Sequence, residues 1–244
     1  MNIALIGYGK MGNQIEKCAS AKNIHISAIF TSKNNIGGIG LTKNALKDVD
    51  VCIDFSTPIS VLANIQAAAK CGKHVVVGTT GWYDKIRAVK KITEERHIGL
   101  VYSPNFSLGV NVFLQLVGST AHHFDAFDLY DVAIDEIHHR GKADSPSGTA
   151  LQIGQTVLQH LRSKKELLHE VPHEPVRPHQ LQISSTRLGH TVGIHRVTFD
   201  SEADTIEMTH TAKNRCGFAL GALVAAEWIF NRKGFFTMKD VLAS

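Results

Sequence analysis

Two adjacent histidines and a nearby lysine lie close together in the stretch EIHHRGKADSPSGTA at residues 136–150. A neutral histidine can accept or give up a proton near physiological pH, which makes His138 and His139 candidates for proton transfer. Lys142 is a fixed cation that can hold a carboxylate or act as an acid. Pro146 suits the first position of the helix that follows, whose first-turn N–H groups form an anion site. The stretch therefore predicts proton transfer beside a ligand that carries a carboxylate.

The same stretch allows a plainer interpretation, a surface loop and a capped helix with Ser147, Gly148 and Thr149 in its first turn. The density of titratable and charged side chains favours the functional interpretation. A second histidine motif, H-E-V-P-H at residues 169–173, has the spacing of a zinc site that requires both histidines on one helical face. Prolines throughout residues 167–178 argue against an unbroken helix, so we expect an exposed loop there and no metal site.

A glycine motif, G-Y-G-K-M-G, lies at residues 7–12 between a predicted strand and a predicted helix. The glycines permit a tight turn and a close approach of the backbone to a pyrophosphate, and the helix N-terminus adds unpaired N–H groups. A glycine turn that only packs a helix against a strand is the alternative. The alternation of strands and helices that follows favours a dinucleotide site.

The end of the second predicted strand reads Phe30-Thr31-Ser32-Lys33, about 20 residues after the glycines, where NAD sites usually carry a carboxylate. A carboxylate repels a 2′-phosphate, whereas a lysine with hydroxyl groups can accept one. The sequence therefore favours NADPH, with NADH possible if Lys33 is only solvated. Two further loops, GTTG at residues 78–81 and SPNF at residues 103–106, follow predicted strands and are candidates for the nicotinamide end, although either could be a plain turn.

Strands and helices alternate over residues 1–105, which is typical of right-handed βαβ units and a parallel sheet. The predicted strands span residues 2–6, 24–30, 49–55, 74–77 and 99–102, and the predicted helices span residues 11–21, 58–70 and 84–96. We expect this dinucleotide-binding domain, 1–105, to be completed by residues 213–244 through a helix at 218–230.

The pattern changes over residues 106–212, which we assign to a second domain. Helices are predicted at residues 112–122 and 150–161, and strands at 129–137, 180–186, 191–199 and 205–211. This part is rich in strands, which favours an open, largely antiparallel sheet.

Composition limits the classes of protein that this chain can represent. Hydrophobic residues make up 43% of the 244 residues, enough for a core, and the net charge of +4 is too mild to indicate nucleic acid. Four dispersed cysteines (Cys18, Cys52, Cys71, Cys216) indicate reduced thiols. The N-terminus lacks the features of a signal peptide, and the apolar run FALGALVAAEWIF is too short to span a bilayer. We expect a cytoplasmic protein with neither a membrane nor a nucleic-acid partner.

The stretch at residues 136–150 resembles the signature E-x-H-H-x-x-K-x-D-x-P-S-G-T-A of the dihydrodipicolinate reductase family, also called 4-hydroxy-tetrahydrodipicolinate reductases. Other segments resemble that family in the same order along essentially the whole chain. They are GYGKMG at 7–12, DFS at 54–56, VVGTTG at 76–81, SPNFSLGVN at 103–111 and THTAKNRCGFALGAL at 209–223.

The resemblance implies an NAD(P)H-dependent reduction of the cyclic dicarboxylate 4-hydroxy-tetrahydrodipicolinate to tetrahydrodipicolinate, with loss of water, in lysine biosynthesis by the diaminopimelate pathway. It implies that His138 donates or accepts a proton and that Lys142 is a second proton donor and a carboxylate partner. The implied substrate-binding residues are His139, Gly148 and Thr149. The implied cofactor-binding residues are Gly7, Tyr8, Gly9, Lys10, Met11, Gly12, Gly78, Thr79, Thr80, Ser103, Pro104, Asn105 and Phe106.

The fold implied by the resemblance is an α/β Rossmann-like domain plus a smaller α+β domain with an open mixed sheet. The second domain, residues 106–212, is then the substrate-binding and oligomerisation domain that builds a homotetramer. This chain departs from many members by a glycine loop one residue shorter and by Thr31-Ser32 where a Glu-Arg pair is common. These departures concern cofactor preference. Two alternatives are an aspartate- or homoserine-type dehydrogenase, and a dinucleotide-sensing protein that has lost catalysis.

Overall fold

A parallel sheet of six strands organises the N-terminal part of the chain in a computed structural model that describes residues 1–243. The strands are β1 (Asn2–Ile6), β2 (His25–Phe30), β3 (Val51–Asp54), β4 (His74–Val77), β5 (Gly99–Tyr102) and β11 (Gly234–Thr237). They lie in the order β11-β5-β4-β3-β1-β2, and all neighbours are parallel. The chain turns to opposite sides of β1 to form β2 and β3, so the carboxyl ends of these strands open a crevice that can hold a ligand.

Helices cover both faces of this sheet. They are α1 (Lys10–Ser20), α2 (Val61–Lys70), α3 (Ile86–Glu95), α6 (Cys216–Ile229) and α7 (Met238–Leu242). Because successive strand residues point to opposite faces, Ile3 and Leu5 pack with α1 and α6, whereas Ala4 and Ile6 pack with α2. Burial on both faces explains why β1 and β3 are apolar apart from Asn2 at the start of β1 and Asp54 at the end of β3. The predicted Rossmann-like sheet is confirmed.

A second sheet of five strands has the order β10-β9-β6-β8-β7. Its strands are β6 (Asp131–His138), β7 (Glu166–Leu168), β8 (Gln180–Arg187), β9 (Gly193–Asp200) and β10 (Thr205–Ala212). The helices α4 (Leu108–Phe124) and α5 (Gly148–His160) share a core with the inward side chains of β6, β8 and β9. Strand β6 alternates between exposed or half-buried and buried residues, as expected for a sheet with one covered face.

The second sheet is mixed, as the family resemblance implied, and not largely antiparallel as the strand pattern suggested. Strand β9 is antiparallel to β6 and β10, but β8 is parallel to β6 and β7. The reason is that α5 lies between β6 and β8 in the chain, and a helical crossover returns the next strand in the same direction. The structure also forms β7 at the start of the predicted proline-rich loop, and β11 and α7, which the sequence pattern did not indicate.

The chain forms two compact units, one of Met1–Leu108 with the segment from Arg215, and one of Gly109–Asn214. The assignment of the second unit to substrate binding and oligomerisation stays a prediction. None of the helices within residues 1–243 combines the length and apolarity needed to cross a membrane.

Candidate active site

His138 and Glu136 lie on the buried face of β6. Residues two apart in a strand share a face, so both side chains follow the apolar Val132 and Ile134 into the covered side of the sheet. Glu136 is 1% exposed, and one of its carboxylate oxygens, Oε2, lies 2.5 Å from Nδ1 of His138. A buried carboxylate is thus paired with the histidine that the sequence identified as a proton-transfer candidate.

The other carboxylate oxygen of Glu136 is held by two donors. Its Oε1 accepts hydrogen bonds from the backbone N–H of Ser147, at 3.1 Å, and from Nη2 of Arg187, at 3.0 Å. Burial acts to raise the pKa of Glu136, but these hydrogen bonds and the nearby charges outweigh it and place the pKa below its ordinary value. Glu136 is therefore a carboxylate anion at neutral pH.

His138 is held as a neutral imidazole. Burial lowers its pKa below the ordinary value, partly opposed by the Glu136 carboxylate and reinforced by the Lys142 charge. A carboxylate at Nδ1 favours the proton on that nitrogen, which leaves Nε2 as the nitrogen that can accept one. The side chain fits because Gly193 has no Cβ, since a Cβ there would lie 2.9 Å from Nε2. The arrangement suits general acid–base chemistry at Nε2.

Lys142 lies in the loop after β6 with its ammonium group near a carboxylate. Its Nζ donates to both oxygens of Asp144, at 2.7 and 2.8 Å, and this contact keeps the pKa of Asp144 below its usual range. Arg187 fixes the same loop by donating to the carbonyl oxygens of Lys142 and Asp144. The cation is consequently positioned before any ligand arrives.

The N-terminus of α5 is capped by Ser147, whose Oγ accepts a hydrogen bond from the N–H of Ala150 at 3.1 Å. Gly148 and Thr149 are the first two helical residues, and neither is fully buried. Pro146 therefore lies before the cap and not at the first helical position, which corrects the prediction. The reason is that a serine hydroxyl can accept from the first turn, whereas proline offers no side-chain acceptor. The positive end of α5 attracts anions, and the Asp144 carboxylate already accepts a hydrogen bond from the Gly148 N–H there.

A second buried histidine, His195 on β9, stands behind the cap. Its Nε2 lies 3.2 Å from Oγ of Ser147, and its ring packs edge-on against His138, with centroids 5.1 Å apart. Burial, with the nearby His138, lowers the pKa of His195 to about 4. His195 is therefore neutral at pH 7, and it contacts both the Ser147 cap and the His138 ring.

Glu136, His138 and His195 bring potential metal-ligand atoms within 4.8 Å of one another. The Arg187 guanidinium on Glu136 and the Lys142 charge beside His138 oppose the binding of a further cation. The absence of a metal from the site stays a prediction. The H-E-V-P-H segment at residues 169–173 is exposed and not helical, as we expected.

A cavity of about 520 Å³ opens at the carboxyl ends of β1, β2 and β3. It is lined by Gly7, Tyr8 and Gly9, by Thr31 and Ser32, and by the segment from Phe55 to Thr57, with no carboxylate among its lining residues. A neighbouring cavity of about 390 Å³ is lined by Gly9, Lys10, Met11, Gly78, Thr79 and Thr80, among others. The two cavities share Gly9, Phe55 and Ser56, and thus adjoin at the glycine loop and the end of β3.

The geometry of the glycine loop fits a dinucleotide. Gly7 has a φ of +91° and a Cβ there would lie 2.3 Å from the Phe55 carbonyl oxygen, while a Cβ on Gly12 would lie 2.4 Å from the Gly7 carbonyl oxygen. At Gly9 an added Cβ would meet nothing within 4 Å, so open space lies directly over the backbone at the helix N-terminus. This is the space that a pyrophosphate needs.

A buried network of hydrogen bonds around Asp54 lies at the base of the two cavities. Asp54, at the end of β3, accepts hydrogen bonds from Ser56, from Oγ1 of Thr79 at 2.7 Å and from Asn64 at 2.9 Å. Burial raises the pKa of Asp54, and these donors oppose that effect. The network joins the loops after β3 and β4 and fixes the floor of both cavities.

Residues 1–106 match the family model described as the N-terminus of dihydrodipicolinate reductase, and residues 109–242 match that of its C-terminus. The chain belongs to the dihydrodipicolinate reductase family. The N-terminal model is that of a dinucleotide-binding domain, in agreement with the glycine loop and the two cavities.

Named relatives agree with this membership. A 4-hydroxy-tetrahydrodipicolinate reductase of Christiangramia forsetii is 42% identical, and the match covers 100% of this chain and 98% of the relative. One from Archaeoglobus fulgidus is 35% identical, over 99% of this chain and all of the relative. A solved structure of dipicolinate-bound dihydrodipicolinate reductase from Paenisporosarcina sp. TG-14 has a TM-score of 0.80 at 22% identity and covers 98% of both chains. The similarity to the Paenisporosarcina structure shows the fold. The family models and the named relatives confirm the family that the sequence motifs resembled.

The structure of this dihydrodipicolinate reductase family member brings some predicted site residues together and leaves others apart. His138, His139, Lys142, Gly148 and Thr149 all lie between the end of β6 and the first turn of α5. The loop at residues 103–106 does not line either cavity described above. Phe106 is 1% exposed, and its side chain packs in the core. A cofactor role for Ser103, Pro104, Asn105 and Phe106 stays a prediction.

Sequence reasoning assigned no role to several residues that shape the two sites. They are Glu136, Arg187, Gly193 and His195 in the second unit, and Asp54, Ser56 and Asn64 in the first. Glu136 could have been found, because strand alternation places it on the same face as His138. The sequence around Arg187 and His195 does not indicate a role for either residue, because they lie on strands β8 and β9, which are brought next to β6 only in the folded chain.

Replacing Gly9 with alanine is expected to weaken NADPH binding by about tenfold or more without lowering the melting temperature. The methyl group meets no protein atom within 4 Å, but it occupies the space over the loop. Fluorescence titration with NADPH and differential scanning calorimetry measure the two effects. Unchanged affinity in the folded variant would contradict the placement of the pyrophosphate, and Gly7→Ala, which clashes with backbone, serves as the contrasting variant that loses stability as well.

Proposed function

We propose that this chain reduces 4-hydroxy-tetrahydrodipicolinate to tetrahydrodipicolinate, with loss of water and oxidation of one NAD(P)H. Its relatives of known name, which match it along nearly their whole length, carry the name of this reaction. The observation that supports the proposal most strongly is the His138–Glu136 pair beside Lys142 and the N-terminus of α5. This arrangement supplies a proton-transfer group and two positive sites for a cyclic dicarboxylate.

Lys142 and the first turn of α5 divide the work of holding the substrate. The Lys142 ammonium binds one carboxylate, and the N–H groups at Gly148 and Thr149 bind the other, with the substrate displacing the Asp144 carboxylate that lies between them. His139 lies in the same loop as Lys142 and contributes a further hydrogen-bond donor to the substrate. Two separated positive sites fix both ends of a small ring, so the reacting carbon is oriented before reaction.

The reduction requires a proton transfer, and Nε2 of His138 is the atom that carries this proton. Glu136 orients the imidazole ring through its contact with Nδ1. Lys142 is the second proton donor. The residues of the glycine loop, from Gly7 to Gly12, and those of the loop from Gly78 to Thr80 hold the dinucleotide. When bound, the reduced nicotinamide supplies the hydride.

NADPH is the proposed preferred cofactor. Thr31 and Ser32 line the larger cavity, no acidic side chain does so, and Lys33 follows directly in the chain. Hydroxyl groups and a nearby cation favour a 2′-phosphate, whereas a cofactor without that phosphate gains nothing from them. NADH is expected to be the poorer cofactor.

A coupled assay tests the proposal. Dihydrodipicolinate synthase generates the unstable substrate from pyruvate and aspartate semialdehyde, and the loss of NADPH or NADH is followed by its absorbance. We expect turnover with both cofactors and a lower KM for NADPH. No turnover with either cofactor, in folded protein that binds NADPH, would overturn the substrate, and turnover of aspartate or homoserine instead would favour the other dehydrogenases.

We also propose a homotetramer built through the second unit, located in the cytoplasm. Val112 and Leu116 on α4 and Ile206 on β10 are apolar side chains that stay exposed in the single chain, which supports an assembly surface there. Light scattering should give a mass about four times the 26.7 kDa of one chain. A mass equal to one chain at micromolar concentration would contradict the tetramer but not the reaction.

A further inference from the structure

Two cysteine thiols that are far apart in the sequence nearly touch in the first unit. Cys18 lies on α1 and Cys216 is the first residue of α6, and their sulfur atoms are 3.0 Å apart across 198 positions of the chain. The two helices pack side by side on one face of the parallel sheet. The sulfur–sulfur separation exceeds a disulfide bond by only about 1 Å.

The exposure of the two thiols indicates which of them an oxidant reaches first. Cys18 is 6% exposed, whereas Cys216 is half-buried and therefore the thiol that a small oxidant can reach. The hydrogen bond with Cys18 raises the pKa of Cys216. Because the thiolate is the reactive species, the rate should increase with pH over the range in which Cys216 deprotonates.

The other two cysteines, Cys52 and Cys71, differ from this pair in their surroundings and serve as internal controls. Cys52 lies in the middle of the sheet, is 0% exposed, and burial raises its pKa to about 12. Cys71 ends α2, and its Sγ donates to the carbonyl oxygen of Leu41. No hydrogen bond within the described residues joins either of them to another thiol, although the Cys71 charge contributes to the raised pKa of Cys52. The identity of the linked peptides therefore distinguishes the Cys18–Cys216 pair from these two.

We propose that Cys18 and Cys216 form a reversible disulfide when the protein meets a peroxide, linking the helix of the glycine loop to α6. The Cys216 thiolate attacks one peroxide oxygen, giving a sulfenic acid and releasing hydroxide, which takes up a proton as water. The Cys18 sulfur then attacks the Cys216 sulfur, its proton leaves with the hydroxyl as a second water, and the bond closes. Two thiols lose two electrons, one peroxide gains them, and an added dithiol reverses the reaction.

The cross-link joins the start of the α6 segment to a helix near the N-terminus. In the unfolded chain it closes a very long loop, and in the folded chain it joins helices that already pack together. The oxidised protein should therefore melt at least about 4 °C higher than the reduced protein.

Treatment of the intact protein with stoichiometric hydrogen peroxide at pH 8.5, followed by mass spectrometry without reduction, tests the proposal. We expect a loss of about two hydrogens in mass, one linked peptide pair containing Cys18 and Cys216, and full reversal by dithiothreitol. Cys71→Ser should react in the same way, since that residue takes no part. Cys18→Ser should lose the linked peptides and instead add oxygen at Cys216.

Stepwise oxygen addition at Cys216 in the wild-type protein, with Cys18 left as a thiol, would overturn the proposal. Linked peptides that contain Cys71 would overturn it as well. Both outcomes are read from the wild-type protein alone, so they do not depend on whether a variant folds. They are also independent of the proposed reaction, because neither requires turnover.

Discussion

His138→Gln is expected to lower kcat by about 100-fold or more while leaving NADPH affinity within about twofold of wild type. Glutamine is close to histidine in size and can still hydrogen-bond to Glu136, but it cannot exchange a proton near neutral pH. The loss therefore isolates proton transfer from packing. The cofactor loop belongs to the other unit of the chain, so its binding reports whether the variant is correctly folded.

The measurement is kcat and KM in the coupled assay, with NADPH binding followed by fluorescence. A variant that keeps more than about a third of wild-type kcat would remove His138 from the reaction. Glu136→Gln is the matched companion, because it keeps the shape of the side chain and removes the charge next to Nδ1 of His138. Since that charge raises the pKa of His138, its loss should move the pH limb of kcat that belongs to His138 to lower pH. A purely structural role of Glu136 would lower the melting temperature without moving that limb.

Between pH 6.5 and pH 4 the protein is expected to lose up to about 3 kcal/mol of unfolding free energy through His195 alone. The folded protein holds the pKa of His195 at about 4, whereas the unfolded chain titrates near 6.5. In this window the unfolded state binds a proton that the folded state does not, so stability increases with pH. The cause is burial, because the charged ring would lie beside His138 and His210 with no water to solvate it.

Urea unfolding at fixed protein concentration, at several values of pH from 4.5 to 7.5, measures this dependence. In His195→Gln the unfolding free energy should depend less steeply on pH, because the imidazole of His195 no longer titrates. This change in slope is expected whatever the stability of the variant at pH 7. His138 and His210 also have lowered pKa values and contribute in the same direction, so the comparison is between the two slopes. Parallel curves for the wild type and the variant would show that His195 is not held neutral by the fold.

The parallel sheet and the glycine loop could be predicted because their signals are local. Strand, glycine motif and helix follow one another within the first 20 residues, and each element is written in its own segment. Strand β11 had no such signal. Its sequence GFFT becomes a strand because the edge of β5 is there to pair with, and that edge exists only after the chain has folded.

The candidate site divides in the same way. The histidines, the lysine and the helix start lie within 15 residues of sequence, and their types indicated the chemistry. The supports of that chemistry come from β8 and β9, since Arg187 reaches Glu136 across 51 positions and His195 reaches Ser147 across 48. A parallel β8 is what places Arg187 beside His138 in register, and the strand pattern had suggested the opposite direction for much of this sheet.

The contact between Lys142 and Asp144 means that the loop after β6, which we propose binds the substrate, carries its own counter-ion. An arriving carboxylate exchanges places with an internal one, so the net gain at Lys142 is a difference between two similar ionic contacts. A ligand with a single carboxylate can collect little more than this exchange. The Asp144 carboxylate also accepts a hydrogen bond from the Gly148 N–H at the positive end of α5, so one internal anion occupies both positive sites. A ligand must therefore displace Asp144 from both sites at once, which favours a dicarboxylate, whose two anionic groups can replace Asp144 at each site, over a monocarboxylate.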